Sequence, residues 1–241
     1  MTCKCNGTCN CKICLCNYRK YVMEFVGTML FVLVIGLVVA TGSDWAPLAI
    51  GLALGVLVYA GSHVSGSHYN PAVTLAIALR KKISWSDALW YWMAQFLGAA
   101  VAALVVMSMT TPFVPAPGAE VSLWTAVIAE MIFTFILAFV VLQTATTLEQ
   151  EGNSYFGFAI GLTVTIGAIA VGAISGGAFN PAVGLSPLVV AGGASYWWIY
   201  LIGPMVGGAL AAGFFSLIHD WEYEALENEF VEYGEFVDED E

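Results

Sequence analysis

The stretch His63-Val-Ser65-Gly66-Ser-His68-Tyr-Asn70-Pro71-Ala72-Val73 has a counterpart 110 residues later, Ala173-Ile-Ser175-Gly176-Gly177-Ala-Phe179-Asn180-Pro181-Ala182-Val183. Both carry Asn-Pro-Ala in the same frame. A polar motif duplicated inside a very apolar chain points to a pore built from two repeats, because lipid tolerates irregular backbone only where protein buries it or water reaches it. Pro in the first helical turn with Asn just before it reads as a helix start. The runs 70–79 and 180–190 are too short to cross a bilayer: about 10 helical residues cover about 15 Å, roughly half the hydrocarbon core. They are predicted to be half-helices that enter from opposite faces and meet, N-terminus to N-terminus, near the midplane.

Composition sets the class around this motif. Residues AVILMFWYC make up 59% of the chain and charged residues 10%. A soluble domain would carry about a quarter charged residues, so that class is excluded. Six apolar stretches reach the length of about 20 residues that a crossing needs. They fall at 22–41, 46–64, 88–109, 123–144, 155–174 and 196–218, and none contains Lys or Arg. The polar, Cys-rich start and the length of the first apolar stretch do not fit a secretory signal. The expected fold is an all-α membrane protein of six transmembrane helices and two half-helices, arranged as an inverted repeat.

Charge predicts the orientation. Lys4, Lys12, Arg19 and Lys20 precede the first span, and Arg80, Lys81 and Lys82 follow the second. Basic residues mark the cytoplasmic side. Two crossings separate the clusters, so both lie on one side, and six spans return the C-terminus there. The net charge of −11 belongs to the end of the chain, where 11 of the 18 carboxylates lie in 219–241. Three parts follow: a Cys-rich segment (1–20), a channel domain (21–218, with repeats 21–110 and 121–218) and an acidic tail (219–241).

Other landmarks repeat in register. Glu24-Phe25 matches Glu130-Met131, and Gln95-Phe-Leu-Gly98-Ala99 matches Pro204-Met-Val-Gly207-Gly208. Small residues on such faces let helices approach closely, and inverted repeats with broken helices commonly build membrane transport sites.

With both motifs intact and the landmarks in register, the chain resembles the aquaporin (major intrinsic protein) family over about 21–218. The resemblance implies a homotetramer with one pore per subunit in the cell membrane. It implies passive flow of water or small neutral solutes, with neither a cofactor nor a chemical reaction. The residues are consistent with it. Asn70 and Asn180 are expected to aim amide donors into the pore, and each half-helix N-terminus places about half a positive elementary charge at the midplane. Cations and protons meet a barrier there.

The chain departs from many relatives at Val183, where they carry Arg. Offsets from the two motifs carry the family's selectivity filter to Ile50, Ala168, Gly177 and Val183. None is aromatic or charged, so the filter is expected to be wide and apolar. Some plant vacuolar members share this Val, and that subgroup often conducts urea or peroxide as well as water. Glycerol and ammonia are further candidates. An apolar constriction can also gate by dewetting.

Glu24 and Glu130 lie inside spans, where carboxylates pair or accept backbone donors. The resemblance implies that they scaffold the loops bearing the half-helices; direct solute contact is the alternative. His63 and His68 flank the first motif, as loop anchors or as a pH sensor. Gln95 is expected to pack between helices. The six cysteines, Cys3, Cys5, Cys9, Cys11, Cys14 and Cys16, form three Cys-x-Cys pairs. On the cytoplasmic side they suit a soft metal such as Zn(II) or Cu(I) or palmitoylation, or they belong to a segment without a role. The tail, rich in Glu and aromatics, is expected to be solvated. A secondary transporter and a structural membrane protein remain alternatives to a channel, although the pore region offers no charge for ion coupling.

Overall fold

A computed structural model of the chain describes residues 11–192 and 195–220 and contains, among them, helices but no strands. Six helices are long and apolar enough to cross a membrane: α1 (Cys11–Ala40), α2 (Ala46–Ser65), α4 (Trp85–Met109), α5 (Leu123–Ala145), α6 (Phe156–Ser175) and α8 (Trp197–Ile218). Two short helices, α3 (Pro71–Leu79) and α7 (Pro181–Ala191), are the half-helices expected from the motifs. A 3₁₀ turn (Leu148–Gln150) lies between α5 and α6.

Local chemistry sets the boundaries. α3 and α7 each start with Pro directly after an Asn whose side chain accepts a backbone N–H, from Ala72 and from Ala182, at 2.9 Å each. The Pro lacks only an N–H that a first turn leaves unpaired anyway. α2 and α6 both end on a glycine in the left-handed region, Gly66 at φ 83° and Gly176 at φ 92°. α4 starts at Trp85, ahead of the expected 88, because Ser84 accepts from the N–H of Asp87 at 3.1 Å. α1 starts at Cys11, so the expected boundary at residue 20 falls inside a helix whose membrane-length part is Tyr18–Ala40. Cys3, Cys5 and Cys9 lie outside the described residues, as do the side chains of Cys11, Cys14 and Cys16.

Within each repeat the first long helix packs on the third, α1 on α4 and α5 on α8, while α2 crosses α6 between the repeats. Glycines permit these contacts. A Cβ at Gly98 of α4 would lie 3.2 Å from the Met29 nitrogen of α1, and one at Gly207 of α8 would lie 2.9 Å from the Phe135 nitrogen of α5. These are repeat-related contacts. At the α2–α6 crossing a Cβ at Gly161 would lie 2.9 Å from the Gly55 nitrogen, and one at Gly55 would lie 2.8 Å from the Gly157 oxygen. Backbone touches backbone, so no side chain can yield.

Among the described basic residues, Arg80 is not at the surface. Arg80 caps α3 and is fully buried, with its guanidinium carbon 4.7 Å from the centre of the Phe215 ring of α8. Lys81 and Lys82 beside it are exposed. The loop after α5 is tied down by Asn153, whose amide donates to the carbonyls of Thr144 (2.6 Å) and Gln150 (2.7 Å). The Tyr59 hydroxyl of α2 donates to the carbonyl of Ser154 at 2.9 Å and holds the same loop.

Replacing Gly161 with Val should separate α2 from α6. Overpacking of this kind costs about 1–3 kcal/mol, so the detergent-solubilised protein should lose thermal stability in a scanning fluorescence assay. Gly213, which has nothing within 4 Å of a built Cβ, is the control: Gly213→Val should leave the midpoint nearly unchanged.

Candidate functional site

The site begins with two carboxylates. Glu24 on α1 and Glu130 on α5 are fully buried. Glu24 accepts from the Ser65 hydroxyl (2.6 Å), from the backbone N–H groups of His68 (2.9 Å) and Tyr69 (2.7 Å), and from the Gln95 amide (2.8 Å). Glu130 accepts from the Ser175 hydroxyl (2.7 Å) and from the backbone N–H groups of Ala178 (3.0 Å) and Phe179 (2.6 Å). A carboxyl inside a membrane span needs such partners. The loop backbone they hold is unusual: Tyr69 sits at φ 47° and Phe179 at φ 49°, where bulky residues are outliers.

A second pair of contacts braces the same loops. The Tyr91 hydroxyl of α4 donates to the Ser65 carbonyl at 2.7 Å, and the Tyr200 hydroxyl of α8 donates to the Ser175 carbonyl at 2.6 Å. The two halves differ in the side chains around these loops. Gln95 also donates to Thr74 of α3 at 2.9 Å, and Thr74 is 3.1 Å from His68 Nδ1. The matching residues of the second repeat are Pro204 and Gly184, which cannot form such bonds through their side chains.

The loops bring the motifs together head to head. The Asn70 amide donates to the Phe179 carbonyl, and the Asn180 amide donates to the Tyr69 carbonyl, each at 2.9 Å. Each Asn thus caps its own half-helix through its oxygen and clasps the other repeat through its nitrogen. An amide NH₂ has two donors, so one N–H per residue is used in the clasp.

A cavity of about 1020 Å³ leads to this point from the end where α1 begins and α3 finishes. Asn70 and Asn180 both line it. Its mouth carries Lys20, Lys82, Asp87 and Glu151, with Lys20 paired to Asp87 at 2.7 Å. Deeper in, Leu54 and Val58 of α2 and Ile160 and Val164 of α6 line it at helical spacing, with Val73 and Ile77 of α3. Apolar walls thus lead to two polar amides.

The four expected filter positions lie beyond this cavity and line none of it. Val183 is buried, while Ile50, Ala168 and Gly177 are partly exposed. Gly177 and Ala168 are neighbours, since a Cβ at Gly177 would lie 3.6 Å from the Ala168 Cα. Pro71, Ala72, Pro181 and Ala182 are buried in the first turns of α3 and α7.

One expected residue is displaced. His63 is exposed in the last turn of α2 and lies outside the Glu24 network; His68 is the histidine inside it. The reason is helical phase: His63 precedes Ser65 by two residues, about 200° around the helix. Gln95 on α4 is fully buried and donates to Glu24 on α1. Sequence reasoning missed Ser65, Ser175, Tyr91 and Tyr200. The serines stood in the matched frames, and the tyrosines share the 109-residue offset of Gln95 and Pro204.

Comparison with known proteins agrees with this geometry. Residues 13–215 match the major intrinsic protein family. Aquaporin NIP2-1 of Oryza sativa subsp. japonica is 37% identical over 217 residues, covering 83% of this chain and 70% of that protein. Aquaporin TIP2-3 of Arabidopsis thaliana is 36% identical over 228 residues, covering 88% and 91%. Glycerol uptake facilitator protein-like 6 of Lactiplantibacillus plantarum (strain ATCC BAA-793 / NCIMB 8826 / WCFS1) is 37% identical over 211 residues, covering 80% and 95%. Among solved structures, the aquaglyceroporin from Plasmodium falciparum shares the fold, with a TM-score of 0.73 at 24% identity over 83% of this chain and 95% of that one. On the extent of these matches, this multi-pass membrane protein belongs to the major intrinsic protein family.

Proposed function

We propose that the protein is a passive transmembrane channel for water and other small uncharged solutes, with glycerol, urea, ammonia and hydrogen peroxide as the candidates, and that it excludes ions and protons. One observation carries this: the N-termini of α3 and α7 meet at Asn70 and Asn180, where an apolar-walled cavity ends. Each terminus presents about half a positive charge, which opposes cations in aquaporin-type pores. Neutral solutes pay no such penalty and are met by amide donors.

Glu24, Glu130 and Gln95 act as scaffold, since their polar atoms face loop backbone and neighbouring side chains. Ile50, Ala168, Gly177 and Val183 form the outer filter. The wall stripes support this assignment: Leu54 and Val58 on α2, and Ile160 and Val164 on α6, recur every four residues. One further step outward reaches Ile50 and Ala168. The channel domain occupies 21–218 between the segments 1–20 and 219–241. The Lys and Arg clusters favour an orientation with both termini cytoplasmic, the cell membrane is the expected location, and family likeness favours a homotetramer.

Stopped-flow flux in proteoliposomes tests the function. A channel gives linear, non-saturating flux down a gradient, whereas saturation with ion dependence would identify a carrier and no flux a structural protein.

Asn180→Asp should admit cations. A donor becomes a negative acceptor facing the Tyr69 carbonyl, and the positive barrier falls. Potassium or proton leak in liposomes should rise above that of the unmodified protein; an unchanged leak, or strong cation current before mutation, would count against the proposed exclusion mechanism.

Val183→Arg should narrow the outer filter and add a fixed charge. Glycerol and urea flux should fall more than water flux, by about tenfold if the change matches the discrimination of a fitted pocket. Equal loss for all solutes would remove Val183 from the filter.

A further inference from the structure

The repeats are related closely enough for each position to be carried from one half of the pore to the other. α2 and α6 are both 20 residues long, both end on a left-handed glycine, and lie 110 residues apart. The following loops share their backbone form, with Ser67 at φ 53° and Gly177 at φ 65°. The same offset relates Asn70 to Asn180, and their reciprocal bonds are equal in length at 2.9 Å.

This relation carries the four outer filter positions onto a second set. Ile50 maps to Ile160, Val183 to Val73, Ala168 to Val58 and Gly177 to Ser67. All four partners line the cavity between its mouth and the paired asparagines. We propose that Val58, Ser67, Val73 and Ile160 form an inner ring that sets the largest solute the channel passes; this rests on the assignment of the outer four as a filter.

Side-chain size is the reason. Two positions are identical in the two rings, Ile with Ile and Val with Val. At the other two the inner ring is larger, with Val58 for Ala168 and Ser67 for Gly177. On related backbones, more side-chain atoms leave a smaller opening. The larger residues are also adjacent: a Cβ at Gly177 would lie 3.6 Å from the Ala168 Cα, and the repeat places Ser67 beside Val58 in the same way. Packing limits any yielding, since Val58, Ser67, Val73 and Ile160 are 3%, 5%, 4% and 5% exposed. The Ser67 hydroxyl donates to the Tyr69 hydroxyl at 2.9 Å, so the ring offers a solute mainly apolar surface. It therefore discriminates by width.

The test measures water, glycerol and erythritol flux by stopped flow in proteoliposomes of the full chain, normalised to protein. Val58→Ala, which gives the inner ring the outer ring's residue, should raise the erythritol-to-water ratio by about tenfold, the scale of discrimination that a methylene or two supplies. Val58→Leu should lower the ratio, so the two variants move in opposite directions and loss of one to misfolding leaves the other. Gly213→Val on α8, outside both rings and with nothing within 4 Å of a built Cβ, should leave the ratio unchanged. Unchanged ratios in both Val58 variants would overturn the proposal. These results differ from failure of the channel assignment itself, in which the unmodified protein passes neither water nor polyol.

Discussion

The architecture depends on two buried carboxylates that hold loop backbone in a shape it would not otherwise keep. Tyr69 and Phe179 occupy the left-handed region, at a cost of order 1–3 kcal/mol for each residue. Glu24 and Glu130 offset that cost by accepting two backbone N–H groups and one serine hydroxyl apiece. Those bends turn the chain back into the membrane and aim the two half-helices at each other. Without them neither Asn would stand at the N-terminus of a half-helix facing its counterpart.

The symmetry is close in the backbone of the motif loops, where Tyr69 and Phe179 share a left-handed φ, and broken in the side chains. Both loops use a Glu, a Ser and a Tyr in the same roles. Gln95, Thr74 and His68 add a polar chain to the first half only. In the second half small size replaces polarity: a Cβ on Gly184 would lie 2.6 Å from Tyr200 Cγ. Each half thus reaches the same backbone geometry by a different packing solution, and the pore walls diverge accordingly.

Much of this was legible in the chain because the motif is both local and duplicated. Asn-Pro-Ala specifies a helix start wherever it occurs, and the 110-residue spacing reveals the repeat. The buried glutamates were legible because a carboxylate inside an apolar span needs partners. What was not legible depended on helical phase or on long-range pairing. His63 and His68 look equivalent in the sequence, yet only His68 joins the Glu24 network. Tyr91 and Tyr200 reach carbonyls 26 and 25 residues away, beyond any local pattern. Arg80 reads as one of three surface cations, but Phe215 covers it, a contact that joins two repeats.

The reciprocal clasp of the asparagines has a consequence in time. The amide of Asn70 needs the carbonyl of Phe179, 109 residues later, and Asn180 reaches back 111 residues to Tyr69. Contacts between such distant residues form late, because the intervening chain must be ordered first. A nascent chain that has completed its first three helices therefore holds a donor with nothing across from it. Both the clasp and the cavity walls draw on residues of the two repeats, so neither is complete until the second motif has been made.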